Sequence, residues 1–178
     1  MKQNGFSILE VLIVIAIAGI LAGLGLANMQ GLMRKQTVGN QTRRIQSDLM
    51  DVRFMAMNKN RTHFVTLSAG GYTAYDDTSP APNGDDTLTV GSDTVVLRLS
   101  ESLNLSTVKP SDFVSISWNG SSQINFNARG LSTSPNTTVC IYSDVNPVYD
   151  CVKVSSTRVL LGKLSVQGSC SEANCVAK

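Results

Sequence analysis

FSILEVLIVIAIAGILAGLGLANM, residues 6–29, holds a single ionisable side chain, Glu10. Residues 11–27 carry no charge and, with residues 6–9 ahead of them, approach the ~20 apolar residues that a membrane-crossing helix needs. Read as one helix, the stretch can span a bilayer, and the chain divides there. Only MKQNG, with one basic residue, Lys2, precedes it, whereas the chain beyond residue 72 is rich in Ser, Thr, Asn, Asp and Gly. Two different solvents are implied.

Glu10 is the anomaly within the run. A carboxylate among membrane-embedded apolar residues costs about 2.5–3.5 kcal/mol on insertion scales, so a partner is expected. No lysine or arginine lies close in sequence. A cut after Gly5 would supply one: Phe6 becomes the N-terminus, and its α-amino cation sits four residues, one helical turn, before Glu10. In a stack of such helices the amine of one subunit can meet the carboxylate of its neighbour. A secretory signal peptide follows another plan, a basic region, an apolar stretch and a small-x-small cleavage site.

Lys2, Gly5-Phe6-Ser7, Glu10 and the apolar run behind them resemble the class III signal peptide of type IV prepilins. The resemblance implies that residues 1–5 are a leader and that a prepilin peptidase cuts after Gly5 and N-methylates Phe6. Many pilins carry a proline about twenty-two residues into the mature chain. Ala27 stands there instead, and Gly23 and Gly25 are the weak points, at roughly 1 kcal/mol each relative to alanine. Gly19 and Gly23 form a Gly-x-x-x-Gly pair that lets another helix approach closely. Lys2 fits an N-in orientation; Arg34 and Lys35 oppose it weakly.

The expected organisation is a leader over 1–5, a transmembrane and assembly helix over 6–29, its amphipathic continuation over 30–61, and a β-rich head over 62–178. In the continuation, Val38, Ile45, Leu49, Val52 and Ala56 recur at helical spacing, with Arg43, Arg44, Asp48 and Asp51 on other faces, so the helix should run to about Lys59. Residues 58–62 read as its exit. Residues 28–61 carry seven basic against two acidic side chains, net +5, and residues 62–178 carry seven against ten, net −3. Neither half is basic enough to announce a nucleic-acid protein.

β-prone runs follow at 63–67, 71–75, 94–99, 113–118, 123–126, 139–142, 151–154 and 158–164, with Gly70-Gly71 and Asn119-Gly120 as hairpin signals. Residues 76–93, with Pro80, Pro82, Asn83 and Gly84, read as a mobile loop. The fold class is α+β: a long N-terminal helix packed on an antiparallel sheet.

Cys140, Cys151, Cys170 and Cys175 are the only cysteines. With no Cys-x-x-Cys pair they favour two disulfides and an oxidising compartment. Three connectivities are open, and loop closure favours the neighbour pairs Cys140–Cys151 and Cys170–Cys175. The first would tie a hairpin around IYSDVNPVYD, the second a small loop near the tail. Both are similar to the disulfide-stapled C-terminal region of many pilins.

The head resembles the GspH/FimT group of minor pilins and pseudopilins through VRFMAMNKNRTHFVTL at the helix exit, Phe126 with Arg129-Gly130, and the closing CVKVSSTRVLLGKL. The resemblance implies a pilin-like fold and a structural subunit, a minor pilin or pseudopilin, of a type IV pilus or type II secretion filament. It implies as partners the prepilin peptidase, other pilin subunits and an assembly platform with its ATPase. It places the chain in the inner membrane with the head in the periplasm, then in an extracellular pilus or periplasmic pseudopilus. A major pilin is one alternative. A DNA-binding minor pilin is another: some members use Gly-Arg-x-Arg near the C-terminal strand, but Thr157-Arg158-Val159-Leu160 keeps only one arginine, leaving Lys153, Arg158 and Lys163 as candidate DNA contacts.

Other chemistry finds little footing. The acidic residues Asp76, Asp77, Asp85, Asp86 and Asp93 match no calcium-loop spacing and read as a hydrated loop. His63, the only histidine, stands beside Phe64 and Val65 as a core-edge or surface residue, not a base. No cofactor, metal or enzymatic activity is expected.

Overall fold

The computed structural model describes residues 7–68, 71–82, 84–99 and 115–178. Helix α1 runs Ile8–Lys59, 52 residues, about 78 Å at 1.5 Å per residue. It stops where the sequence indicates. Asn60 turns left-handed (φ 51°, ψ 40°) and donates its N–H to the Ala56 carbonyl, as does Arg61 at 3.2 Å. Asparagine is one of the few residues that takes this conformation cheaply.

Only the second half of α1 packs on the head. Val38, Ile45, Leu49, Val52 and Ala56 are all buried, and Thr42 fills the remaining place in the same stripe. Its hydroxyl donates to the Val38 carbonyl at 2.9 Å and lies 3.2 Å from the Tyr149 carbonyl, which offsets the cost of burying it. The described side chains of the first half stand clear of the head: Ile8 is 82% exposed, Leu12 62% and Ile20 65%.

Nine strands follow: β1 (His63–Ser68), β2 (Gly71–Asp76), β3 (Thr94–Leu99), β4 (Ser115–Asn119), β5 (Gln123–Phe126), β6 (Thr137–Tyr142), β7 (Cys151–Val154), β8 (Val159–Leu164) and β9 (Cys175–Ala177). They form two sheets, ordered β3-β2-β1-β5 and β4-β6-β7-β8-β9, with every pair antiparallel. The fold is α+β, as expected. Ser68 opposite Gly71 closes the hairpin signalled by glycines. Asn119-Gly120 differs: β4 pairs with β6 while β5 pairs with β1, so this turn carries the chain from one sheet to the other. Leu49, Val65, Ile124, Phe126, Val139, Ile141 and Val152 form the common core beneath α1.

The disulfides correct the sequence reading. Cys140 and Cys151 do stand directly opposite each other on β6 and β7, but the bonds are Cys140–Cys170 and Cys151–Cys175. Both strand cysteines point away from α1, and the tail folds back across that face. Cys170 donates its N–H to the Tyr142 hydroxyl at 2.6 Å, and β9 pairs with β8. Chain entropy favours the neighbour pairs by only about 2 kcal/mol. Burying the outer face under the tail outweighs it: Cys140, Cys151, Leu164 and Cys175 form a second cluster, each under 4% exposed. The large sheet is thus covered on one side by a helix and on the other by a stapled tail.

Gly162 makes this crossing possible. It lies opposite Cys151 on β8, and a Cβ there would come within 2.7 Å of the Cys175 sulfur, 2.8 Å of the Val176 carbonyl and 3.0 Å of the Cys151 sulfur. Gly162→Ala is expected to cost about 1–3 kcal/mol through overpacking, read as a lower denaturant midpoint. An unchanged midpoint would mean that the tail shifts freely.

Three of the acidic residues read as a hydrated loop, Asp76, Asp77 and Asp93, are instead buried. The Asp93 carboxylate accepts from the backbone N–H groups of Thr78, Ser79 and Thr89 at 2.7–3.0 Å. Asp77 accepts from those of Asp85 and Asp86. Carboxylates that satisfy backbone donors hold these turns together.

Candidate assembly site

Ser7 opens α1, its carbonyl accepting from Glu10 and Val11. Glu10 lies in the first turn, exposed, and no described residue supplies it with a cation. Gly5 and Phe6, the expected processing residues, lie outside the described residues. Gly19 and Gly23 have nothing within 4 Å of the space a Cβ would fill, so that face is clear of the described residues. Among the described residues no helix is long and apolar enough to cross a membrane.

At its other end α1 is joined to the head by a charged neck. The Asp76 carboxylate, 3% exposed, receives Lys59 at 2.8 Å and Arg61 at 3.1 Å on Oδ2. Asp48 on the helix accepts the Tyr72 hydroxyl, and burial with this bond pushes the phenol far above its usual range. Gly130, with φ +70°, brings the β5–β6 connection against the helix, since a Cβ there would meet the Met57 sulfur at 2.7 Å. Gly130 thus has a packing role at the helix end, while Arg129 is exposed.

His63 is fully buried in this neck, not at the surface or core edge. Nδ1 lies 3.2 Å from the Arg61 carbonyl, which assigns the proton to that nitrogen. Nε2 faces Asp76 Oδ1 at 3.7 Å, too far for a hydrogen bond, and neither atom has another partner. Burial holds the imidazole pKa below its ordinary value, with Asp76 opposing and Lys59 and Arg61 reinforcing the shift. The folded state therefore binds fewer protons than the unfolded one below about pH 6.5, and stability present above that value is lost as pH falls through the folded pKa. The slope is at most about 1.4 kcal/mol per pH unit. His63→Asn, whose amide can still donate to the Arg61 carbonyl, should show a smaller loss of unfolding midpoint than the parent between pH 7 and pH 5. Equal losses would exonerate His63.

The three candidate DNA contacts do not share a face. Lys153 is paired with Glu172 at 2.8 Å. The strand register puts Lys153 opposite Leu160, so Lys163 emerges on the other side of the sheet. Lys163 is occupied there by the Asn146 side chain and the Pro147 carbonyl. Arg158 is exposed in the β7–β8 turn, where its backbone bonds Ser155.

The site that stands out is therefore physical, not catalytic: an uncovered apolar helix with one unmatched carboxylate, carried on a disulfide-stapled α+β head. That combination defines a pilin-like subunit. The prokaryotic N-terminal methylation motif matches residues 1–26, and the type II transport protein GspH family matches residues 41–158. The chain belongs to the GspH family. No curated protein and no solved structure matches it.

Proposed function

We propose that this chain is a minor subunit that helps to start a filament of the type II secretion or type IV pilus class. The observation that carries the reading is the first half of α1, apolar, exposed and interrupted only by Glu10. Before assembly this half lies in the inner membrane with the head outside the cytoplasm. Prepilin peptidase cuts after Gly5 and methylates Phe6, and an assembly platform and its ATPase move the helix from lipid into the filament core. Neighbouring helices then replace lipid around Ile8, Leu12 and Ile20, and the Phe6 amine of one subunit neutralises Glu10 of another. Gly19 and Gly23 leave room for close helix approach. The disulfides suit an oxidising compartment.

The test combines N-terminal mass analysis of the mature protein with its abundance in sheared filaments. A start at methylated Phe6, low abundance, and fewer filaments when the gene is deleted are expected. A start near residue 28 would indicate ordinary signal-peptidase release and refute the filament reading, whereas bulk abundance would make the chain a major pilin.

A further inference from the structure

The two ends of the head carry unpaired charge of opposite sign. At the end nearer the start of α1, the loop between β6 and β7, residues 143–150, is fastened against the helix. Arg34 donates to both Asp144 carboxylate oxygens at 2.6 Å. The Thr42 hydroxyl lies 3.2 Å from the Tyr149 carbonyl, and the Arg43 guanidinium stacks over the Tyr149 ring, 5.1 Å from its centroid. Between loop and helix runs a groove of about 250 Å³, lined by Leu32, Lys35, Arg43, Val148 and Tyr149. Gly39 opens its helix wall, with nothing within 4 Å of a would-be Cβ. Neither Lys35 nor Arg43 has a carboxylate partner among the described residues. Leu32 and Val148 are exposed beside them.

The other end, where α1 stops, is acidic. Arg61 holds the β2–β3 connection there by donating to the Pro82 carbonyl at 3.3 Å, and the Thr62 hydroxyl donates to Asp86. Asp85 and Asp86 are exposed and form no ion pair among the described residues. Their side chains part, Asp85 towards Thr87 and Asp86 towards Thr62, and so present two separate negative points. Pro82 and Val90 are exposed in the same connection. Of the cations nearby, Arg61 is committed to Asp76, and Arg129 borders the cleft beside Asp86 without pairing with it.

Gly39 and Asn60 mark the two levels, about 32 Å apart along α1. No copy can join its own two ends across that distance. A second copy pointing the same way and displaced by that length brings its groove to the first copy's acidic turn. Cations then meet carboxylates, and Leu32 and Val148 meet Pro82 and Val90. The contact uses a different surface on each side, and its axial displacement prevents closure into a ring, so it repeats as an open filament.

We propose that the acidic turn of one copy, Asp85 and Asp86, docks in the Lys35–Arg43 groove of a second copy displaced by about 32 Å along the filament axis. This neighbour is not the one whose Phe6 amine meets Glu10, since that contact allows little axial offset. The proposal rests on the filament reading above and needs only a short run of copies, which low abundance permits.

The test uses the mature full-length chain in a non-ionic detergent. Lys35→Glu/Arg43→Glu reverses the groove, and Asp85→Lys/Asp86→Lys reverses the turn. Each double variant alone should self-associate about thirty-fold more weakly than the parent in sedimentation. An equal mixture of the two should recover association, because each end then finds its opposite in the other variant. Arg129→Gln should leave association unchanged, and the parent's association should weaken as salt is raised. A parent chain that stays monomeric, or a mixture that associates no better than its components, overturns the proposal. The unaltered chain supplies a second measurement that no substitution can disturb. Carbodiimide coupling of an equal mixture of light and heavy-nitrogen copies should join Lys35 to Asp85 or Asp86 in peptides of mixed isotope. Coupling of Lys35 only within one copy, or only to other carboxylates, overturns the assignment. A chain that starts at methylated Phe6 yet does not associate contradicts this contact alone, whereas a start near residue 28 contradicts the filament reading itself.

Discussion

Removing both disulfides, by Cys140→Ser/Cys170→Ser with Cys151→Ser/Cys175→Ser or by reduction, is expected to unfold the head or leave it near its midpoint in water at room temperature. The bonds close loops with sequence separations of 30 and 24, and chain entropy assigns loops of that size about 3.5 kcal/mol each. The sum, about 7 kcal/mol, is comparable to the whole stability of an ordinary domain. Because the cysteines lie in the cluster that the tail covers, their loss also uncovers Leu164. Denaturant unfolding of oxidised and reduced protein measures the effect. Non-reducing peptide mapping checks its origin and should recover Cys140 with Cys170 and Cys151 with Cys175. Recovery of Cys140 with Cys151 would sink the argument for the stapled tail even if reduction proved destabilising.

The second large effect concerns assembly. Glu10→Gln should leave the head's unfolding midpoint unchanged, since Glu10 is exposed and remote from the core, yet reduce incorporation into filaments by about a hundredfold. In the proposed filament the Phe6 amine would then be buried without its counter-charge, and breaking one side of a buried pair costs about 3–5 kcal/mol. Incorporation is measured as the ratio of chain in sheared filaments to chain in membranes, with N-terminal mass confirming normal processing. Wild-type incorporation by the variant would remove the charge-matching account.

These two effects divide along the same line as the legibility of the chain. The Glu10 prediction needs only residues 5–29, because an uncharged run, one carboxylate and a missing cation are properties of neighbours in sequence. The buried stripe from Val38 to Ala56 was readable for the same reason: a helix repeats every 3.6 residues and displays its packed face in its spacing. So were the runs at β3, β5 and β7, each a short β-prone segment between turn residues.

Which strands pair, and which cysteines, depends on residues far apart in the chain, and spacing carries little of that information. Asn119-Gly120 looks like any hairpin turn, yet β4 and β5 end up in different sheets. β9 is three residues long, too short to announce itself, and forms because β8 offers it an edge. Lys59 and Arg61 stand close before His63 in sequence, but only the pairing of β1 with β2 sets Asp76 against it. The acidic residues between 76 and 93 read as hydrated until their backbone donors are known.

By itself, then, the sequence determined a long helix ending at Lys59, its inward stripe, an exposed apolar start with an unmatched carboxylate, and a β-rich head. These follow from local periodicity and from the cost of a charge in an apolar run. Tertiary structure decided the division into two sheets, the bonds from Cys140 to Cys170 and Cys151 to Cys175, the need for Gly162 beneath them, and the groove between Lys35, Arg43 and Tyr149. Each of these depends on chain segments meeting in space, where burial and close packing outweigh the entropy that favours near neighbours.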